Sequence, residues 1–337
     1  MTWGYARHYR HYPDGAEHPT SFAGSAIVDF GGDEPDGRRS DETVAWRISI
    51  GPQADDDYDE DLWDALAEAA GDRTHPIFRA VFEGFLDVVP PDSVEALVVG
   101  RWGPELEEDE APIQILREAA ERLTKLKAMF VGEQAGINQW YDAHAKELLA
   151  AYPQLEILRI RGGMGDSTGL RHPLTHTSLR HLAIESGELS RDTVAAILES
   201  DLPALEHLEL WFGDELHGGP TVDDLAPILS GARWPRLRYL GLRNAEIADE
   251  IAMAVATAPV VTALETLDLS LGTLSDTGAE ALLTGQPLTH LRKLDLHHHF
   301  LSQATQTRLL NELPGIVDVS DGQGDDVRHR YTMSSRL

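Results

Sequence analysis

One short phrase recurs along this 337-residue chain from about residue 94 onward: an apolar residue, two variable residues, an apolar residue, one variable residue and another apolar residue. Its copies are Val94-Leu97-Val99, Leu126-Met129-Val131, Leu155-Leu158-Ile160, Leu179-Leu182-Ile184, Leu205-Leu208-Leu210, Leu237-Leu240-Leu242, Leu264-Leu267-Leu269 and Leu291-Leu294-Leu296. A degenerate ninth copy places Pro314, Val317 and Val319 on the same frame. Successive copies begin between 23 and 32 residues apart, a period that means stacked supersecondary units. In Leu208-Glu209-Leu210 the residues alternate sides as a strand does, so the two leucines enter a core and Glu209 faces out. Between copies, residues 111–123, 191–200, 221–230, 249–257 and 276–284 are amphipathic at helical spacing. Strand and helix therefore alternate. This predicts parallel strands joined by helical crossovers, each unit burying its apolar face against the next.

Two stretches narrow the type. In LETLDLSLGTLSDTGAEALL (264–283) the strand is followed by Leu274, then Asp276 at a helix start with Gly278 and Ala279 in the first turn. LRYLGLRNAEIADEIAMAV (237–255) repeats the arrangement with Asn244. Both resemble the ribonuclease-inhibitor type of leucine-rich repeat, a resemblance covering about residues 94–320. It implies an α/β fold, a curved solenoid of about eight to nine repeats with a parallel concave sheet and helices on the convex side. It leaves function open, because that repeat serves inhibitors, GTPase-activating proteins and immune sensors alike. LEHLELWFG, LRYLGLRN and LDLHHHFLS also resemble an uncharacterised bacterial leucine-rich-repeat family. Its members accompany radical-SAM and sulfatase-like proteins, which implies association with a modification-enzyme system.

The frame divides the chain into a flexible arm (1–24), an N-terminal α+β cap (25–92), the solenoid (93–320) and a tail (321–337). In the cap, residues 25–30 and 43–50 alternate as strands, and 59–70 and 76–89 read as helices. An exposed first repeat would leave an open apolar face, and the cap closes it. The acidic run 55–61 lacks the glycine and terminal glutamate of a helix-loop-helix calcium site and reads as a solvated loop. The arm carries Tyr5, Arg7, His8, Tyr9, Arg10, His11 and Tyr12, and reads as disordered or folded back on the acidic surface. Residues 162–169 are Gly-rich but lack the Lys-Ser/Thr ending of a phosphate loop. Asp276-Thr277-Gly278 spells a protease triplet at what is a helix start.

Charge limits the partners. With 28 Lys+Arg against 57 Asp+Glu, the formal charge is −29, which repels nucleic acid and anionic membranes and favours a protein with a basic patch. The absence of Cys removes disulfides, thiolate nucleophiles and Cys-ligated metals, and fits a reducing compartment. No stretch has the apolar core of a signal peptide or the length of a membrane span, so the chain reads as cytoplasmic. No cofactor is expected.

Stacked units put the outward strand positions into rows. The central row reads Val98, Phe130, Arg159, Ala183, Glu209, Gly241, Asp268, Asp295, Asp318. Two residues later come Arg161, Glu185, Trp211, Arg243, Ser270, His297 and Ser320; two residues earlier, His181, His207, Tyr239, Thr266 and Lys293. Carboxylates in adjacent rungs repel, and Arg243 and Lys293 lie one row away to neutralise them. An exposed Trp211 beside Tyr239 and Arg243 has the makeup of an interface anchor. The expected function is therefore a non-enzymatic protein–protein interaction module. Its face comprises Arg159, Arg161, Glu185, Glu209, Trp211, Tyr239, Arg243, Asp268, Asp295 and His297. Two alternatives stand beside it. Asp295, His297 and His299 would share one strand face and could hold a metal for hydrolysis. Otherwise the N-terminal unit pairs with another copy in a self-assembling scaffold, the oligomeric state being open.

Overall fold

A computed structural model describes residues 19–30, 43–49, 76–100, 102, 112–133, 144–162, 170, 172–213, 219–324 and 332. The expected helix at 59–70, the acidic run 55–61, arm residues 5–12 and residues 163–169 lie outside these. Among the described residues twelve strands form one sheet in chain order. They are β1 (Ser21–Phe22), β2 (Ser25–Asp29), β3 (Val44–Ile48), β4 (Ala96–Val99), β5 (Ala128–Val131) and β6 (Ile157–Arg161), followed by β7 (His181–Glu185), β8 (His207–Gly213), β9 (Tyr239–Ala245), β10 (Thr266–Asp268), β11 (Lys293–Asp295) and β12 (Val317–Asp318). β1 pairs antiparallel with β2, and every later neighbour is parallel. The two strands before the first phrase thus belong to the same ladder, with Arg47 opposite Val98.

The connections carry helices α1 (Pro76–Val88), α2 (Ile113–Glu118), α3 (Ala145–Ala151), α4 (Arg191–Glu199), α5 (Ala226–Leu229), α6 (Ala248–Val255), α7 (Asp276–Thr284) and α8 (Gln303–Glu312). α5 is preceded by a 3₁₀ turn at Val222–Leu225. The apolar residues of the phrase and of these helices form one continuous core, in which Leu208, Leu210, Leu240, Leu267 and Leu294 are buried with Ile197, Ile251 and Leu282. The molecule is a leucine-rich-repeat solenoid: a curved parallel sheet with helices on its convex side. Among the described residues no helix is long and apolar enough to cross a membrane.

The chain leaves the sheet at one recurring position. Gly162, Asn244, Leu271, His298 and Asp321 stand three residues past the central row and all have positive φ, 93°, 52°, 69°, 56° and 59°. A left-handed residue bends the backbone toward the convex side, and Asn bears that conformation better than most side chains, which accounts for Asn244. The bend keeps one more rung: Asn244 N–H donates to Ser270 O at 2.8 Å, Leu271 to His297 O at 3.0 Å and His298 to Ser320 O at 3.1 Å.

The central residue sets strand length. In β10, β11 and β12 it is Asp, whose Oδ1 accepts the N–H two residues on: Ser270 at 3.0 Å, His297 at 3.2 Å and Ser320 at 3.1 Å. A side chain that takes this donor competes with the ladder for it. These strands end at the Asp, whereas β8 and β9, with Glu209 and Gly241 there, run through seven residues each.

Helix starts are stapled between repeats. Ser190, Ser275 and Ser302 cap α4, α7 and α8, so Asp276 is the first helical residue and Ser275 the cap. Asp249 on α6 accepts from Ser275 N–H at 2.8 Å, from the Ser275 hydroxyl and from Gly278 N–H at 3.1 Å. Asp276 repeats the bond to Ser302 N–H at 2.8 Å. A Cβ on Gly278 would lie 2.7 Å from Asp249 Oδ1, which is why the position takes glycine.

Candidate functional site

The register places the outward residues in the rows that the phrase spacing implies. Arg159 faces Ala183 and Arg161 faces Glu185; Ala183 faces Glu209 and Glu185 faces Trp211. Trp211 faces Arg243, and Asp268 lies between Gly241 and Asp295. Asp295 in turn faces Asp318. Extended back over β2 and β3, the central row begins Asp29, Arg47, Val98.

These side chains form a run of ion pairs and hydrogen bonds along the face. Glu209 is its hub: it accepts from Arg243 Nη1 at 2.6 Å and from Trp211 Nε1 at 2.7 Å, with Arg159 Nη2 at 3.6 Å and His207 Nε2 at 3.5 Å. Arg159 also pairs with Glu185, which takes Arg161 Nε at 2.6 Å. Arg161 donates to Glu133 O at 2.7 Å, and the Glu133 side chain receives Arg47 Nη1 at 3.2 Å. Arg47 Nη2 reaches Asp29 Oδ2 at 2.8 Å. Toward the other end, Asp268 accepts from Tyr239 OH at 2.8 Å and from the Ser270 hydroxyl at 2.6 Å, with Arg243 Nε at 3.3 Å. Asp295 pairs with Lys293 and with His297 Nδ1 at 2.7 Å, and Asp318 lies 3.6 Å from Lys293 Nζ. The carboxylate ladder is thus neutralised by Arg243 and Lys293 from the neighbouring rows.

Protonation follows from these contacts. Burial pushes the Glu209 carboxyl up, but Arg159 and Arg243 outweigh it and hold the group well below the usual carboxylate range. Burial likewise pushes the Asp295 carboxyl up, but His297 and Lys293 overcome it, and the group ends below its ordinary value. Arg243 is raised despite burial because Asp268 and Glu209 flank it. Beside them His181, His207 and Tyr239 stack, with ring centroids 5.0 and 3.7 Å apart. Burial lowers both imidazoles, His181 to about 3.

Depth is where the structure departs from the sequence expectation. Trp211, expected to be exposed, is 0 % exposed; its indole N–H is held by Glu209 and its ring lies 4.9 Å under the Arg243 guanidinium. Arg159, Arg161, Glu185, Glu209, Arg243, Asp268 and Asp295 are buried too. Tyr239, Thr266, Lys293, His297 and Asp318 are half-buried and Ser320 is exposed, so the row opens toward its C-terminal end, as it does at Asp29 at the other. Asp29, Arg47 and Glu133 belong to the same network. The phrase does not reach back to Asp29 and Arg47, and Glu133 lies one residue past its own row.

The Asp295, His297 and His299 cluster does not assemble. The left-handed His298 breaks the strand alternation, so His299 turns into the interior instead of joining His297. Its Nε2 donates to Val319 O at 3.0 Å and its Nδ1 accepts from Leu301 N–H at 3.1 Å, so both ring nitrogens are occupied. Among the described residues no group of three His, Asp or Glu is arranged to hold a metal.

No family model matches this chain, and no curated protein does either. Among solved structures, a protein from Bacteroides fragilis is similar with a TM-score of 0.69 and 25% identity, over 88% of this chain and 79% of that one. TLR13 in complex with ssRNA13 aligns with 69% of this chain and 36% of its own at TM-score 0.34 and 16% identity. InlP of Listeria monocytogenes aligns with 74% and 59% at TM-score 0.34 and 15% identity. Both of the latter are leucine-rich-repeat proteins.

Proposed function

We propose that this chain is a non-enzymatic protein-interaction module whose concave face binds a protein carrying a basic patch. One observation carries the reading. Polar and aromatic groups of Tyr239, Thr266, Lys293, His297, Asp318 and Ser320 remain accessible on a floor that the buried Glu209, Arg243, Asp268 and Asp295 network holds fixed. Surface side chains on a preorganised floor lose little freedom on binding. The charge of −29 supplies long-range attraction for a basic partner. In this reading Arg159, Arg161, Glu185 and Trp211 act as floor, Tyr239 and His297 as contacts, and residues 25–92 close the N-terminal end. Helical convex units and the left-handed Asn244 favour the ribonuclease-inhibitor repeat type. The bacterial family resemblance adds a modification enzyme as candidate partner.

The test is capture from the source cytosol with wild type and with an Asp318→Lys/Ser320→Lys variant, at two ionic strengths. A partner held by wild type, weakened on the order of tenfold by the substitutions and again by raised salt, is the expected result. A complex indifferent to both would overturn the reading.

A further inference from the structure

The concave face has two chemically different halves. In the N-terminal half the outward residues Ala45, Ala96, Val98, Ala128, Phe130 and Ile157 form an apolar cluster separate from the main core. Phe22 and Ala23 pack on it, with the Phe22 ring 5.8 Å from the Phe130 ring. By hydrogen bonding Phe22 belongs to β1, at the edge of the sheet beside β2, whereas Phe130 lies on β5. Strands are about 4.8 Å apart, so β5 is on the order of 14 Å from β2 across the sheet, beyond the span of one Phe side chain. β1 and its turn are therefore folded over the concave face, while β2 stays in the sheet beside β3.

We propose that residues 20–24 are an intramolecular ligand of the concave face, and that its apolar half is a recognition site for an aromatic side chain on an extended segment, which a partner fills by displacing Phe22. The proposal rests on the concave face being the binding surface. The hairpin's attachment is slight. Among the described residues its backbone is held by two register pairs, Ser21 with Ala26 and Phe22 with Ser25, and by the bond from Ile27 N–H to Thr20 O at 2.9 Å. Its turn places Ala23 at φ 52° beside Gly24 at φ 81°, and a left-handed Ala is a strained choice. Phe22 is only half-buried, while Val98 and Phe130 beneath it are buried. The floor suits an aromatic guest. Phe130 offers its ring, and the Arg159 and Arg161 guanidinium groups, 5.4 and 5.2 Å from that ring, border it with cations.

The test adds a labelled peptide of residues 17–24, Glu-His-Pro-Thr-Ser-Phe-Ala-Gly, to the full-length chain as wild type and as Phe22→Ala. Emptying the site in cis opens it in trans, so the variant is expected to bind the peptide on the order of tenfold more tightly than wild type. A peptide carrying Phe22→Ala should bind neither chain. Equal binding to both chains, or none to the variant, overturns the proposal. Hydrogen exchange on wild type gives a check that needs no variant. The Ile27 amide, bonded to Thr20 O, should exchange on the order of tenfold faster than the Trp46 and Ile48 amides of β3, because the hairpin opens while the sheet stays closed. Exchange at one common rate would also overturn it. Neither measurement involves Asp318 or Ser320. Failure here therefore leaves the C-terminal contact surface standing, and failure of the capture experiment removes the basic partner while the cis contact of Phe22 is still read by the peptide.

Discussion

Glu209 is buried between two arginines, an indole and an imidazole, so its removal strands charge. Glu209→Ala leaves Arg243 and Arg159 buried without their shared carboxylate, and breaking such a pair from one side costs about 3–5 kcal/mol. Urea unfolding should show that loss. In the Glu209→Ala/Arg243→Ala double variant the loss should be smaller than the sum of the two singles by about 1 kcal/mol or more. Strictly additive losses would mean that the pair is not coupled. For the same reason charge reversals at Glu209, Asp268 or Asp295 would report on folding instead of binding, so the capture experiment uses Asp318 and Ser320. The outward side of Arg159, Arg161, Glu185, Glu209, Arg243, Asp268 and Asp295 was legible in the sequence, because strand alternation fixes which side each faces, whereas Asp29, Arg47 and Glu133 lay off the repeat phrase. The depth of the outward residues was not legible. Period tells sidedness, but Trp211 is buried by Arg243 from the next strand, and Arg243 meets Glu209 across 34 residues of sequence.

The helix starts show how one element specifies the next. Asp249 accepts three bonds from the first turn of α7, so Asp249→Ala removes the partner of two backbone donors and a cap hydroxyl. At about 1 kcal/mol per bond the loss should approach 2–3 kcal/mol, against a smaller loss for Asp276→Ala, which frees the Ser302 N–H. Gly278→Ala should resemble the former, since its Cβ would press on Asp249. Thermal unfolding of the three variants checks the order, and a harmless Gly278→Ala would refute the staple. Most elements could be read beforehand: α7 spans residues 276–284 as its pattern implies, and every phrase from Val94 onward became a strand. Strand length could not, because the shortening of β10 to β12 depends on whether an Asp side chain wins an N–H from the ladder. The alternative that Asp295, His297 and His299 share one face fails for a related reason. One left-handed residue, His298, reverses the alternation on which the shared face depended.

Acid stability is a property of the whole solenoid. His176, His181, His207 and His299 are all held below the imidazole value of 6.5 by burial, with contributions from their neighbours. The unfolded chain takes up these protons as pH falls below about 6.5 while the folded chain does not. Stability is therefore full above that value and declines below it, by about 1.4 kcal/mol per pH unit for each histidine fully protonated only when unfolded. Glu209, Asp295 and Asp318, held below their ordinary range, add a second decline below about pH 4, where the unfolded carboxylates protonate first. Calorimetry from pH 7.5 to 5 should show Tm level down to about pH 6.5 and falling below it, ahead of most carboxylate titration. A flat profile would place the histidines in water. The sheet has a further consequence. Among the described residues every strand pairs only with its neighbours in sequence, from β1 to β12, so from β4 onward each strand contact closes over a single repeat. Tension applied to the two ends of this chain would meet one strand pair at a time. The molecule would then lengthen by shedding repeats singly from its ends, as a stack of coins loses its outermost member, and would regain them in the reverse order once released.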